Sequence, residues 1–382
     1  MAGDDPNRPK FVQSSTQVTA VVPPARRTPA TGIPVATPLA PAYNAPPIDE
    51  AALAALPPPL ENHAAEFEVT VGRNLTESQP DLGDLLKQCS GLTFSRGQLV
   101  AVHQRADFVE MIDPATMAHR RVELPRGGAL AAAGLRAGAA LELEAVVATR
   151  DWRGDFLMAF GAGTRVDVQR VVRMRVGAGE LDLSVVEAQR LYRALWELPG
   201  LATSALNIEG AAWLKPQGSP AVIRLCQRGN GKPRGKTDAT SATVDIRLDV
   251  LIAYLERARR NPDAQMGDDL VNLRRYNLGV MGGVQLGFSD ACGMPDGRML
   301  FVAVAESCVD VGIPGRNYGT ALGVIDHKGF ARVAPIREAN GEPTMAKGSA
   351  LTIDDAGCVY VALGAGGGAA PRLVRLDITG TL

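Results

Sequence analysis

The chain has 382 residues, 40 Lys and Arg against 41 Asp and Glu, a formal net charge of −1, and 46% hydrophobic but only 5% aromatic residues. That is enough apolar material for one large domain or two ordinary ones, and the near-neutral balance removes nucleic acid and anionic membrane as default partners, since both select a basic surface. No run of 18 apolar residues exists, and the start MAGDDPNRPK lacks the basic-then-apolar order of a secretory signal, so a cytoplasmic location is expected. Five widely spaced cysteines without a CxxC (Cys89, Cys226, Cys292, Cys308 and Cys358) read as reduced thiols, and the four histidines show no zinc spacing.

Residues 1–63 contain 13 of the 26 prolines, mixed with Ala, Thr and Val. Such a segment cannot bury enough apolar surface to offset its ordering entropy, and it reads as a disordered, partly polyproline-II tail. Within it, 48–56 is expected to form a short helix on binding, and the tail is a tether to a protein partner or a solubilising segment.

From about Glu66 the pattern changes. Glu66–Val71 alternates as a strand should, and short β-rich runs then flank Gly-containing turns: 90–94 and 98–103, 144–149 and 156–160, 209–214 and 221–226, 290–294 and 299–305, 349–353 and 358–363. Each pair is an antiparallel hairpin by this pattern, and a third strand follows each, at 108–112, 166–176, 242–247, 321–325 and 372–376. A repeated antiparallel unit of this size is the signature of a β-propeller, an all-β fold in which radial repetition protects sheet edges. The count gives five blades over 64–382, or six if 129–143 hides a degenerate one. Segment 248–260 carries helical spacing and is expected outside the blades, and the strand from Glu66 is expected to close the ring by joining the last blade.

Aligning the first strand of each repeat superposes Ser90, Glu144, Glu209, Asp290 and Ser349, each followed by a small residue. The first strand of a propeller blade is innermost, and a carboxylate packed between blades without a partner is costly, so these groups are expected to face the channel. Glu144, Glu209 and Asp290 are therefore candidate ligands of a hard cation, calcium above all, while the alternative is a polar channel lining. The ends of the second strands add His103 and Glu306 as candidate general bases. Arg105, Arg228 and Asn230 are candidates to grip a substrate, unless the arginines serve as structural ion-pair partners.

Three motifs fail their context tests. Asn230–Thr237 is a near miss for a phosphate loop, with Asn for its first glycine and a β-branched run where a helix should follow. Gly287-Phe-Ser289-Asp-Ala291 resembles a nucleophile elbow but opens a strand rather than a strand-to-helix turn. The glycine run 364–368 has no helix after it for a dinucleotide.

The segments NIEGAAWL (207–214), LCQRGNG (225–231), LGFSDACGMPDGRMLFVAVAES (286–307) and GTALGVID (319–326) resemble a bacterial β-propeller family of unassigned activity. More distantly, the Asn-Ile-Glu-Gly strand start is similar to the esterase-like domain of phytase type and to other calcium-associated propellers. The resemblance covers about 66–382 and implies the propeller fold; it places Glu209, Asp290 and Glu306 in matching segments, whereas the acidic calcium loop of the phytase type is missing here. Two functions follow as expectations. One is a metal-assisted hydrolase of a small ester, lactone or phosphoester at the channel, and the other is a non-catalytic binding or scaffold propeller tethered by its tail.

Overall fold

In each repeat, β-rich runs meet at turns that only a few residues tolerate. At Arg96 and Gly97, the two residues between the first two strands of the first repeat, φ is 52° and 77°, the pair of left-handed conformations that a tight hairpin requires. The computed structural model describes residues 47–382 apart from 48, 78–79, 105–107, 125–140, 152–153, 177–180, 230–232, 234–237, 268, 308–314 and 365–369.

Five four-stranded antiparallel blades result. Blade 1 is Cys89–Ser95, Gln98–His103, Phe108–Ile112 and His119–Glu123, and blade 2 is Leu143–Asp151, Gly154–Gly161, Arg170–Val176 and Leu181–Glu187. Blade 3 is Ile208–Leu214, Val222–Gln227, Ser241–Arg247 and Leu270–Asn277, and blade 4 is Val284–Gly293, Met299–Ser307, Arg316–Ile325 and Ala331–Arg337. Blade 5 takes Gly348–Ile353, Val359–Leu363 and Arg372–Gly380 from the end of the chain and its outer strand, Phe67–Asn74, from the beginning. That closure is the one expected from Glu66. The inner strands pack one on the next around the circle, with that of blade 5 returning to that of blade 1, so the ring closes at five. Segment 129–143, the candidate sixth blade, lies outside the described residues except for its last three.

The blades stack face to face, which is why the strand sequences read as continuous apolar runs rather than alternations. In Gln98–His103, Leu99 and Ala101 pack with Tyr360, Ala362 and Leu373 of blade 5, while Val100 and Val102 pack with Val146, Leu157 and Ala159 of blade 2. Each of these side chains is removed from water on both sides, at roughly 25 cal/mol per Å² of apolar surface.

Two helices pack with blades 2 and 3 in one core. Leu248–Ala258 is the one the spacing predicts; Gln189–Glu197 was not anticipated, although Leu191, Tyr192, Leu195 and Trp196 have helical spacing and are all buried. The two share one core, and the backbone N–H of Leu191 donates to the Tyr254 hydroxyl at 3.1 Å.

Segment 49–64 departs from the expected tail. Asp49 caps the short helix Glu50–Ala54, whose Leu53 is buried, so the helix expected on partner binding forms on this chain's own body. Leu60–Glu61 then adds a parallel strand outside blade 3, and His63–Ala64 does the same for blade 4. The rest of the expected tail, 1–46, lies outside the described residues.

Candidate functional site

Every inner strand carries a one-residue register slip near its start. The slip falls at Ser90, Glu144, Glu209, Ser289 and Ser349. A bulge re-aims a side chain, and here it turns one residue per blade the same way at one end of the ring. The equivalent residue of blade 4 is therefore Ser289, and Asp290 falls one position later, level with Gly91, Ala145, Gly210 and Ala350. Sequence alignment alone missed this because a single-residue bulge leaves no compositional trace.

The consequence for Asp290 is a different role. Its carboxylate is completely buried and accepts from the backbone N–H groups of Leu351 at 2.8 Å, Leu92 at 3.3 Å and its own neighbour Ala291 at 2.8 Å. These three amides hold equivalent places in blades 5, 1 and 4, so the carboxylate sits where the blades converge. A Cβ on Gly210 of blade 3 would stand 3.0 Å from the Asp290 carbonyl carbon, so the fourth neighbour also presses against this point. Burial without a counter-cation drives the Asp290 pKa well above the carboxylate range, against the pull of its amide donors.

Around the bulges a polar network draws on all five blades. Gln104 of blade 1 donates to Glu144 of blade 2 at 2.6 Å. In blade 3, Asn207 donates to Glu209 at 2.7 Å and Arg228 reaches the same oxygen at 3.0 Å. The other arm of Arg228 meets Glu306 of blade 4 at 2.5 Å, and Lys347, one residue before the inner strand of blade 5, meets Glu306 at 3.2 Å. The side chains of Arg228 and Glu306 are only 3% and 5% exposed, so these are buried charge pairs rather than solvated ones. Ser90 donates to the Leu143 carbonyl at 2.5 Å and Ser349 to the Ala362 carbonyl at 3.2 Å, whereas the buried Ser289 hydroxyl has no partner among the described residues.

The two ends of this network titrate in opposite directions. Burial and the neighbouring Glu209 charge hold the Glu144 pKa well above the usual range. Burial also lifts Glu306, but Arg228 and Lys347 outweigh it and keep that group below its ordinary value. Glu209 and Glu306 thus face Arg228 and Lys347, two carboxylate side chains against two basic ones.

Of the residues singled out from sequence, Glu144, Glu209, Arg228 and Glu306 come together. Arg105 and Asn230 lie outside the described residues. His103 is corrected: it shares a strand face with Leu99 and Ala101, lies 4.9 Å from the Phe108 ring, and neither ring nitrogen has a partner among the described residues. Burial, helped by Arg121, lowers its pKa to about 4, so it is a neutral packed imidazole. Lys347 and Asn207 were not among the candidate site residues, although Asn207 opens the Asn-Ile-Glu-Gly strand start; Lys347 has only its position, just ahead of an inner strand, as a signal.

The cation reading gains no support from this arrangement. Calcium takes six to eight oxygens. Asp290 is committed to backbone amides, Glu209 to Arg228 and Asn207, and Glu144 to Gln104. Among the described residues no group of three His, Cys, Asp or Glu is placed to hold a metal ion. These commitments leave few oxygens free for an ion. The four described cysteines are free thiols; burial pushes Cys89, Cys226 and Cys292 far up, as inert core thiols. No helix among the described residues is long and apolar enough to cross a membrane.

No curated protein matches the chain. Among solved structures, the chain is similar to a PQQ-bound aldose sugar dehydrogenase from Streptomyces coelicolor, at 12% identity over 84% of this chain and 100% of that one, with a TM-score of 0.40. It is also similar to regucalcin, a calcium-binding protein from Agrobacterium tumefaciens (10% identity, 82% and 96% coverage, TM-score 0.38). A streptogramin B lyase follows at 11% identity, 82% and 98% coverage and a TM-score of 0.33. Likeness this distant bears on neither substrate nor chemistry, and the expected kinship to the phytase-type domain gains no support from it. Residues 141–362, more than half of the sequence, match a family of unknown function, and the chain belongs to that family, DUF6910.

Proposed function

We propose that this propeller is a hydrolase of a small neutral ester or lactone, acting at the bulge end of the ring through Glu144 and Glu209. The observation that carries the reading is the pair itself: two carboxylates on adjacent inner strands, one pushed toward its neutral form by burial and by the charge of the other. Environments that push two carboxyl groups apart are how one site holds both an acid and a base. Glu209 takes a proton from water as the water oxygen bonds to the acyl carbon. As the acyl carbon–oxygen bond breaks, Glu144 gives its proton to the departing alkoxide, leaving a carboxylic acid and an alcohol. The proton on Glu209 then returns to Glu144. Because Arg228 and Lys347 are already balanced by Glu209 and Glu306, an uncharged substrate suits the site better than a phosphoester. Scaffold function is the second reading, favoured by that same pairing, since a fully matched network also serves to lock blades together.

The test is hydrolysis of p-nitrophenyl acetate and of γ- and δ-lactones by the full-length chain, with Glu144→Gln and Glu209→Gln as variants. Each substitution is expected to lower kcat by about 100-fold or more, the usual contribution of a positioned acid or base. Since Glu144 must be protonated, kcat/KM is expected to fall as pH rises through its raised pKa. Wild-type turnover indistinguishable from both variants would leave the scaffold reading standing.

A further inference from the structure

A second feature shares this end of the ring. The tight turn 277–286, the start of Arg316–Ile325 and the loop after Arg337 border a groove of about 580 Å³ that is lined by Val280, Met281, Leu286, Tyr318 and Met345 and extends to Pro335 on the outer strand of blade 4. Val280 is 66% exposed and Met345 37%, two of the four large apolar side chains exposed among the described residues. The groove is built rather than incidental. Gly282, at φ 56°, has no room for a Cβ, which would stand 2.9 Å from the Tyr318 ring, and Gly319 takes φ 146°, a conformation that side chains rarely adopt. Only glycine at these places lets the turn lie flat on the strand.

Two segments that line the groove lie next to members of the polar network. Glu306 is paired in register with Asn317, next to Tyr318. Asn317 donates to the Met345 carbonyl at 2.9 Å, and Thr320 to the Ala346 carbonyl at 2.6 Å, stitching the segment that ends in Lys347 onto the same strand. Lys347 in turn meets Glu306. One pair of segments thus presents charged groups on the channel side and an apolar floor beside them.

We propose that this groove is the acyl-chain subsite of the channel end, taking the unbranched alkyl part of an ester substrate while the carboxylates act on its carbonyl. The proposal rests on the hydrolytic reading of Glu144 and Glu209 and deepens it by naming the substrate class. Pockets of this size bury most of a small ligand, and each methylene removed from water favours binding by up to about fourfold. Six methylenes separate an octanoyl from an acetyl group, and an open groove covers only part of them.

The experiment compares p-nitrophenyl acetate, butyrate and octanoate with the full-length chain. In parallel it measures the rise in melting temperature that octanamide and acetamide, which carry no ester, induce by binding. The expected result is at least a tenfold rise in kcat/KM from acetate to octanoate. That ratio collapses in Val280→Asp and Met345→Gln, two changes at exposed positions, together with the octanamide shift. Hydrolysis without chain-length dependence, and no octanamide shift, would overturn the subsite while leaving the hydrolase. An octanamide shift that Val280→Asp abolishes, in a chain that cleaves no ester, would keep the groove as an alkyl site and overturn the hydrolase. Equal ratios and equal shifts in wild type and both variants overturn the subsite.

Discussion

Replacing Asp290 by alanine tests what holds the ring together. The carboxylate accepts from the amides of Leu92 and Leu351, which belong to the first and last blades along the chain. Each buried amide left without an acceptor costs about 1–3 kcal/mol, so two give roughly 2–6 kcal/mol. Relief from desolvating the acid offsets part of this, because burial is the leading cause of its raised pKa. A net loss of about 2–4 kcal/mol is expected, a large share of the 5–15 kcal/mol that stabilises ordinary domains. The assay is equilibrium urea unfolding near pH 7, read by far-UV circular dichroism, with the midpoint falling and the slope unchanged. The carboxyl group also has a pH signature. Its folded pKa is raised, so the stability it contributes is full below the unfolded value near 3.9 and is lost as pH rises toward the folded value; the alanine variant lacks that decline. A variant within about 0.5 kcal/mol of wild type, the scatter of ordinary surface changes, would refute the view that this residue pins three blades.

Arg228→Met strands Glu209 and Glu306 without their shared cation, and unfolding free energy is expected to fall by about 3–5 kcal/mol, as for other broken buried pairs; Arg228→Met combined with Glu306→Leu should recover part of it in the same urea assay. Deleting residues 1–64 strips the parallel strands from blades 3 and 4 and exposes the edges at Tyr276–Asn277 and Arg332–Val333. Light scattering after size-exclusion chromatography should then show concentration-dependent association that the full-length chain lacks, because open edges pair with one another.

What the sequence made legible follows from which signals are local. A hairpin is written in seven or eight consecutive residues, so the five blades could be read from turns such as Arg96-Gly97, and the closure by Phe67–Asn74 followed from counting strands. The helix Leu248–Ala258 announced itself by spacing, while Gln189–Glu197 was overlooked because it follows directly on the outer strand of blade 2. Residues 49–64 were misread for a thermodynamic reason. Their composition cannot support independent structure, yet it suffices when the edges of blades 3 and 4 are already in place as templates for pairing.

The site was legible in its charges and illegible in its register. Glu144, Glu209, Arg228 and Glu306 could be proposed because charged residues at strand ends are conspicuous among apolar neighbours, and they do converge. Asp290 looked like a third member because matching by residue type sets it level with Glu144 and Glu209, one residue past the bulge of its strand at Ser289. Side chains alternate along a strand, so a shift of one residue moves a group to the opposite face. That single residue separates a carboxylate that reaches the polar network from one that captures three backbone amides at the convergence of the blades. The same slip promotes Ser289 to the position of Glu144 and Glu209. Its orphaned buried hydroxyl is thus better explained as part of the channel-end ring than as the nucleophile its Gly-x-Ser-x-Ala surroundings imitate, since no described base lies within hydrogen-bonding reach of it.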